Sequence, residues 1–282
     1  MQIAEDVDLR KLNEARLRPA TRPALSLAEE MRLRKAEAEF LARECAAVAS
    51  RAATAPNEPA AFLAWFEDLR ETGPGQNDPL FPWLATEATI DQLRWFLTQE
   101  VAGEAGFDDL VALTQLKLPV RAKLELARNY WDEMGRGKPS AMHGPMLDRL
   151  ARELGVDHSD EPIVREAIDL ANLLSGLAAN RHYAYQSIGA LGVVELTAPG
   201  RAAYVDQALT RLGIGTKAKQ YYALHAVLDV KHSAAWNAEI IAPLVSADSS
   251  LCRPIAEGAL MRLNAGARCF ARYREHFALP SS

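Results

Sequence analysis

The sequence predicts an all-α helical bundle. Nearly every segment carries apolar residues at helical period, strand-like alternation is scarce, and the loops between periodic segments are short, as in compact bundles. Residues 1–24 hold Pro19 and Pro23 and little periodicity, and read as an irregular arm. A long helix rich in Ala, Glu, Arg and Leu is expected over about 27–51, and a shorter one over about 59–71. The run Gly73-Pro74-Gly75-Gln76-Asn77-Asp78-Pro79 is the clearest loop in the chain. Further helices are expected over about 86–102, 106–115, 119–134, 140–154, 161–181, 184–197, 200–212, 216–242 and 244–277. No repeat and no compositional shift divides them, so residues 25–282 read as one helical domain behind the arm.

Composition narrows the function classes. At 49% hydrophobic and 24% charged, the 282 residues have the make-up of an ordinary soluble protein. A net charge of −5, with lysines and arginines spread along helical faces, argues against a nucleic-acid partner. Cys45, Cys252 and Cys269 are odd in number and lack metal-ligand spacing, which suits a reducing compartment. Acidic residues crowd the first eight positions, where a leader would be basic and then apolar. No apolar run is long enough to span a bilayer. The expectation is a cytoplasmic protein with no membrane or nucleic-acid partner.

The chemistry concentrates near the C-terminal end. His225, Asp229 and His232 are spaced by four and then three, which stacks them on one face of a helix. Thr216 is a good N-cap for that helix, and Pro243 is where it is expected to stop. Tyr221 or Tyr222 above and Trp236 below extend the stripe, so it faces inward. Two imidazoles and a carboxylate there form a half-site suited to iron.

Other ligand-type residues also occupy apolar stripes. Glu100 follows Ile90, Leu93, Phe96 and Leu97, just before Gly103, which is expected to end the helix. Glu133 closes a stripe of Leu126 and Tyr130, and His143 opens one with Met146, Leu147 and Leu150. Glu195 continues Ile188 and Leu191. Buried carboxylates cost several kcal/mol or neutralise themselves, and several converging ones are most simply explained by cations. Each also has a plainer reading: a Glu at a helix end is usually solvated or capping, and a His at a helix start is commonly a surface or satisfied core residue. Tyr222, one turn from His225, is a candidate cavity or redox group, with core packing as the alternative. Arg181 and His182 precede the Glu195 helix and are candidates for binding a substrate carboxylate, with a surface or capping role as the alternative.

With these residues in place, the chain resembles the haem-oxygenase-like diiron oxidases and oxygenases, a family of iron-containing redox enzymes. That family shows a Glu, a Glu followed within about ten residues by a His, a further Glu, and a last helix with (His/Asp/Glu)-x-x-x-Asp-x-x-His. Glu100, Glu133 with His143, Glu195, and His225-x-x-x-Asp229-x-x-His232 match it here, over about residues 80–275. The segments Gly189-Ala-Leu-Gly-Val-Val-Glu195 and Arg211-Leu-Gly213 also look like the family's surroundings. The first position of the last motif varies between subgroups, and here it is His225. Ferritin-like diiron proteins carry two Glu-x-x-His motifs, which this sequence lacks. Haem oxygenases proper use an early-helix axial histidine, whereas the first histidine here is His143.

The resemblance implies a haem-oxygenase-like multi-helix bundle holding two iron ions, Fe(II) or Fe(III), through these seven residues. It implies O2 as cosubstrate and a small organic substrate. N-oxygenation of an amine or amino-acid-like compound is favoured; oxidative C–C cleavage or decarboxylation of an amino acid or fatty acid is the alternative. An external electron donor (a reductase or a small reductant) and a homodimer are compatible with it. Two competing classes are a helical binding protein with a degenerate metal site and a metal-independent hydrolase or cyclase on the same fold.

Overall fold

The computed structural model describes residues 8–104, 106–156 and 162–280. These residues form helices α1 (Arg10–Leu17), α2 (Leu27–Ala52), α3 (Pro59–Thr72), α4 (Leu80–Thr86), α5 (Ile90–Glu104) and α6 (Phe107–Thr114). They continue as α7 (Val120–Glu133), α8 (His143–Leu154), α9 (Arg165–Ala179), α10 (Ala184–Arg211), α11 (Gln220–Trp236), α12 (Ala242–Ala247) and α13 (Cys252–His276). No strand occurs among the described residues, and none of their helices is long and apolar enough to cross a membrane.

Local chemistry sets several of these boundaries. Ser26 and Glu29 form a reciprocal capping box that starts α2. Glu58 accepts the amides of Ala60 and Ala61, and Pro59 tolerates the first turn of α3 because its missing N–H would have had no helical partner. Thr89 and Gln92 exchange a second pair of capping bonds, so α5 begins at Ile90 rather than near residue 86.

The structure corrects the sequence reading elsewhere as well. The arm is not wholly irregular: α1 lies within it, burying Leu9 and Leu12, while Asn13 donates to Asn172 at 2.8 Å and Arg16 pairs with Glu37 at 2.7 Å. Residues 80–86 are helical, with Pro82 in the first turn and Arg211 donating to the carbonyls of Leu84, Ala85 and Ala88 at the helix end. The stretch read as two helices around Pro199 is one, α10. Its proline removes the amide that would have bonded the carbonyl of Glu195, a local loss that packing on both sides of α10 offsets. At the other end, α11 starts at Gln220 rather than after Thr216. It runs into a π-helical turn at Asn237–Ile241, which passes directly into α12 with Pro243 in its first turn. The helix expected over 244–277 is two, because extended backbone at Asp248 separates α12 from α13.

Helix α10 is the axis of the core, packed between α11 and α13. Small residues allow this approach. A Cβ on Gly189 would lie 1.9 Å from the Ile255 carbonyl oxygen, and one on Gly258 would lie 1.8 Å from that of Gln186. Gly192 faces Trp236, whose Nε1 donates to the Ile188 carbonyl at 3.2 Å. This contact registers α11 against α10 and brings the inward stripe of α11 opposite Glu195.

Candidate metal centre

Four helices deliver the cluster. Glu133 ends α7, His143 begins α8, Glu195 sits mid-way along α10, and His225, Asp229 and His232 form the inward stripe of α11. All six are buried, with 2% to 7% of their surface exposed. Five of them supply donor atoms to two groups that could each hold a metal ion, Glu133 with His143 and His225, and Glu133 with Glu195 and His232, and Asp229 lies beside the second. The two oxygens of Glu133 divide between them. Oε2 lies 2.7 Å from His143 Nδ1 and 3.5 Å from His225 Nε2, while Oε1 lies 3.6 Å from His232 Nδ1. Glu195 Oε2 is 3.5 Å and Asp229 Oδ1 3.9 Å from that same His232 nitrogen.

Neighbouring groups set the orientation of these side chains. His225 Nδ1 lies 2.7 Å from the Tyr221 carbonyl, which can only accept, so the ring carries its proton there and turns the Nε2 lone pair inward. Asp132 Oδ2 lies 3.3 Å from His232 Nε2, leaving Nδ1 to face the cluster. Arg136 in turn holds Asp132 at 2.6 Å. Asn129 donates to Glu195 Oε1 at 2.6 Å, which leaves Oε2 for His232. Asp132 and Asn129 were not singled out from the sequence, because a turn of spacing along α7 does not reveal which neighbouring helix each one meets. Outer partners of this kind typically control metal affinity by ~10–100-fold. Asp132→Ala is therefore expected to weaken iron binding by about that factor in a chelator competition; unchanged affinity would show that His232 needs no such orientation.

Glu100 and its neighbour Glu104 reverse the sequence expectation. Gly103 does not end α5; it packs inside the helix against Ala167 and Leu170, and one more residue follows. Glu104 thereby reaches His143, with Oε1 2.7 Å from Nε2, and its oxygens also accept the amides of Phe107 and Gly106 at 2.8 Å. Glu100, a turn earlier, is not brought into either donor group; its neighbours are Arg201, Arg262 and Tyr273. The i+4 spacing of the two carboxylates was the available signal, since both lie on one face of α5.

The electrostatics fit a cation site. Burial, reinforced by Glu195 and Glu133, pushes the Asp229 carboxyl up to about 9. Burial opposes charge on His232, but Glu195, Glu133 and Asp229 outweigh it and hold that imidazole at about 9. Burial likewise opposes charge on His143, yet Glu104 and Glu133 hold it well above the ordinary histidine value. Glu133 is held well below the usual carboxylate range by His143 and His225, against the effect of burial. Carboxylates this close share a buried space by keeping protons or by meeting cations. Asp229 Oδ1 and His232 Nδ1 are buried without a hydrogen-bond partner, which a bound ion would supply. The mixed imidazole and carboxylate donors suit iron.

Comparison with known proteins agrees. Residues 94–267 match the model of a family described as iron-containing redox enzymes. The chain belongs to that family. The fold is haem-oxygenase-like. A CADD-like protein of unknown function from Nostoc punctiforme superposes with a TM-score of 0.60 at 17% identity, covering 78% of this chain and 98% of that one. A domain of unknown function with a heme oxygenase-like fold from Shewanella denitrificans superposes with a TM-score of 0.52 at 16% identity, covering 77% and 90%. No curated protein matches the sequence.

In this iron-containing redox enzyme, the cluster opens onto a cavity of about 140 Å³. Glu104, Glu133, His143, Glu195, His225 and Asp229 all line it. Its apolar wall includes Phe81, Phe96, Leu170, Leu174 and Phe270. Tyr222 is buried and lines the cavity, while its neighbour Tyr221 places its hydroxyl 3.1 Å from His143 Nε2. Arg181 and His182 do not line it. Arg181 donates to the carbonyls of Leu113, Thr114 and Leu116, closing the end of α6, and the exposed His182 ring lies against Tyr183. The cationic groups at the cavity are instead Arg201 on α10 and Arg262 on α13. Burial and the neighbouring Arg262 bring Arg201 down to about 9. Burial also raises Glu100, although both arginines pull it the other way.

Proposed function

We propose that this iron-containing redox enzyme is a non-haem diiron oxygenase or oxidase that uses O2 to oxidise a small organic substrate, with N-oxygenation of an amine or amino-acid-like compound as the favoured reaction. The observation that carries this reading is the division of Glu133: each oxygen faces a different donor group, the disposition expected of a carboxylate shared by two ions. Glu104, His143 and His225 would hold one ion, and Glu195, Asp229 and His232 the other. Such a pair supplies electrons to O2 and Lewis acidity to the bound substrate.

The chain's own residues do the rest. The backbone carbonyl of Tyr221 and the carboxylate of Asp132 fix the tautomers of His225 and His232, so each presents a lone pair inward. Burial, with Glu104 as the second contributor, keeps the Tyr221 phenol protonated to well above its usual range, so its hydroxyl can donate into the site. The aromatic and aliphatic wall excludes water from the reacting atoms and strengthens every polar contact made there.

The test is anaerobic loading with ferrous iron followed by exposure to air. The wild type is expected to retain roughly two irons per chain and to show a transient visible absorption band. Asp229→Asn, which keeps the side-chain shape, is expected to lose at least one iron with its helical circular dichroism intact. A wild type that binds no more iron than this variant overturns the reading.

A further inference from the structure

Arg201 and Arg262 are an unusual pair to place in the wall of a largely apolar cavity. Neither guanidinium has an ion-pair partner within 4.0 Å among the described residues. Arg201 donates to Thr197 Oγ1 at 3.0 Å and lies over two rings, its Cζ 5.6 Å from the centre of Phe270 and 6.0 Å from that of Phe81. The Nε of Arg262 is buried with no hydrogen-bond partner at all. Each guanidinium offers five N–H donors in a planar fork, so most of the donors in the pair are uncommitted. Glu100 is the neighbouring carboxylate and balances at most one of the two charges. At least one positive charge is left over, on groups shaped for bidentate capture of a planar anion.

We propose that Arg201 and Arg262 form a subsite for the carboxylate of the substrate, framed by Glu100 and by the rings of Phe81 and Phe270. A carboxylate presents the planar pair of oxygens that a guanidinium fork captures in bidentate fashion. At ~10–15 Å³ per water-sized position, the cavity of about 140 Å³ takes a molecule of about ten non-hydrogen atoms. The ligand class is therefore a short carboxylic acid whose far end reaches the cluster of Glu133, His143 and His225. Arg201 and Phe81 also border a second hollow of about 470 Å³, while Arg262 borders the inner cavity without touching that one. Calling the anion a substrate rests on the oxygenase reading; the subsite itself does not.

The experiment is calorimetric titration of the full-length protein, both metal-free and iron-loaded, with hexanoate, its neutral isostere hexanamide, and hexylamine. Hexanoate is expected to bind both forms, with hexanamide and hexylamine about tenfold weaker or worse, the usual scale for a charge-assisted contact. Arg262→Gln and Arg201→Gln are each expected to weaken hexanoate at least tenfold and hexanamide by much less, with iron content unchanged, and Arg262→Lys to restore part of the loss. Circular dichroism confirms folding, and Arg201→Gln decides the matter if Arg262→Gln is unstable. Equal binding of hexanoate and hexanamide, or full hexanoate affinity in the folded Gln variants, overturns the proposal. Hexanoate binding confined to the iron-loaded form, and indifferent to both arginines, overturns it while leaving the diiron reading standing. Binding to a chain that takes up no iron supports it and defeats that reading instead.

Discussion

Glu133→Ala is expected to lose both irons rather than one. Glu133 is common to the two donor groups, whereas His225 belongs to one and Glu195 to the other. Anaerobic loading followed by gel filtration and metal analysis should find iron falling from about two per chain to near none, while His225→Ala and Glu195→Ala each leave about one. Oxygen consumption should fall with the metal content. Retention of one full equivalent by Glu133→Ala would mean that its oxygens serve a single ion, and the shared-carboxylate arrangement would have to be abandoned. Removing Glu133 also takes away the carboxylate that offsets charge on His143 and His232, so metal-free Glu133→Ala should remain folded with both imidazoles less basic.

The largest effect on stability is expected at the crossing of α10 and α13. A methyl added at Gly258 would lie 1.8 Å from the Gln186 carbonyl oxygen, and one at Gly189 would lie 1.9 Å from that of Ile255. Both obstacles are backbone atoms in the centre of packed helices, so relief requires the helices to separate. Overpacking of a core ordinarily costs about 1–3 kcal/mol, and a rigid backbone obstacle puts Gly258→Ala at or above the top of that range. Against a total stability of roughly 5–15 kcal/mol, this predicts a Tm lowered by about 6–12 °C or an insoluble protein. Gly200→Ala, on α10, is the internal control. Nothing lies within 4 Å of its added carbon, and the Gly-to-Ala change in a helix interior should stabilise by about 0.5–1 kcal/mol. A Gly258→Ala protein melting with the wild type would disprove the close approach of the two helices.

The fold was legible in the sequence wherever a long apolar stripe repeats at helical period. Helices α2 and α7 fall within a residue of their expected bounds, and His225, Asp229 and His232 follow the same rule on α11. The reading failed where one residue outweighed its usual tendency. A proline ordinarily breaks a helix, yet α10 passes through Pro199, and a glycine near a helix end ordinarily stops it, yet Gly103 is a packing position within α5. That continuation of the helix is what carries Glu104, rather than Glu100, to His143. Arg201 and Arg262 escaped notice for a different reason: on separate helices, each looks like an ordinary charged residue, and only the packing of α10 against α13 brings them to one cavity. Asp132 was likewise invisible beside Glu133, since adjacent helical positions point about 100° apart and meet different neighbours.

Helix α10 has a consequence for selectivity. It carries Glu195 at the candidate metal centre and Arg201 at the other charged part of the cavity wall, with Pro199 between them. Six residues of helix make a rigid strut of about 9 Å. The separation of the two groups is therefore a built-in ruler, set by a single piece of secondary structure rather than by loops that adjust to their contents. Chain length should be the property of a ligand that this cavity measures most strictly, and Pro199, where the helix lacks one backbone hydrogen bond, is the point at which that measure could be reset.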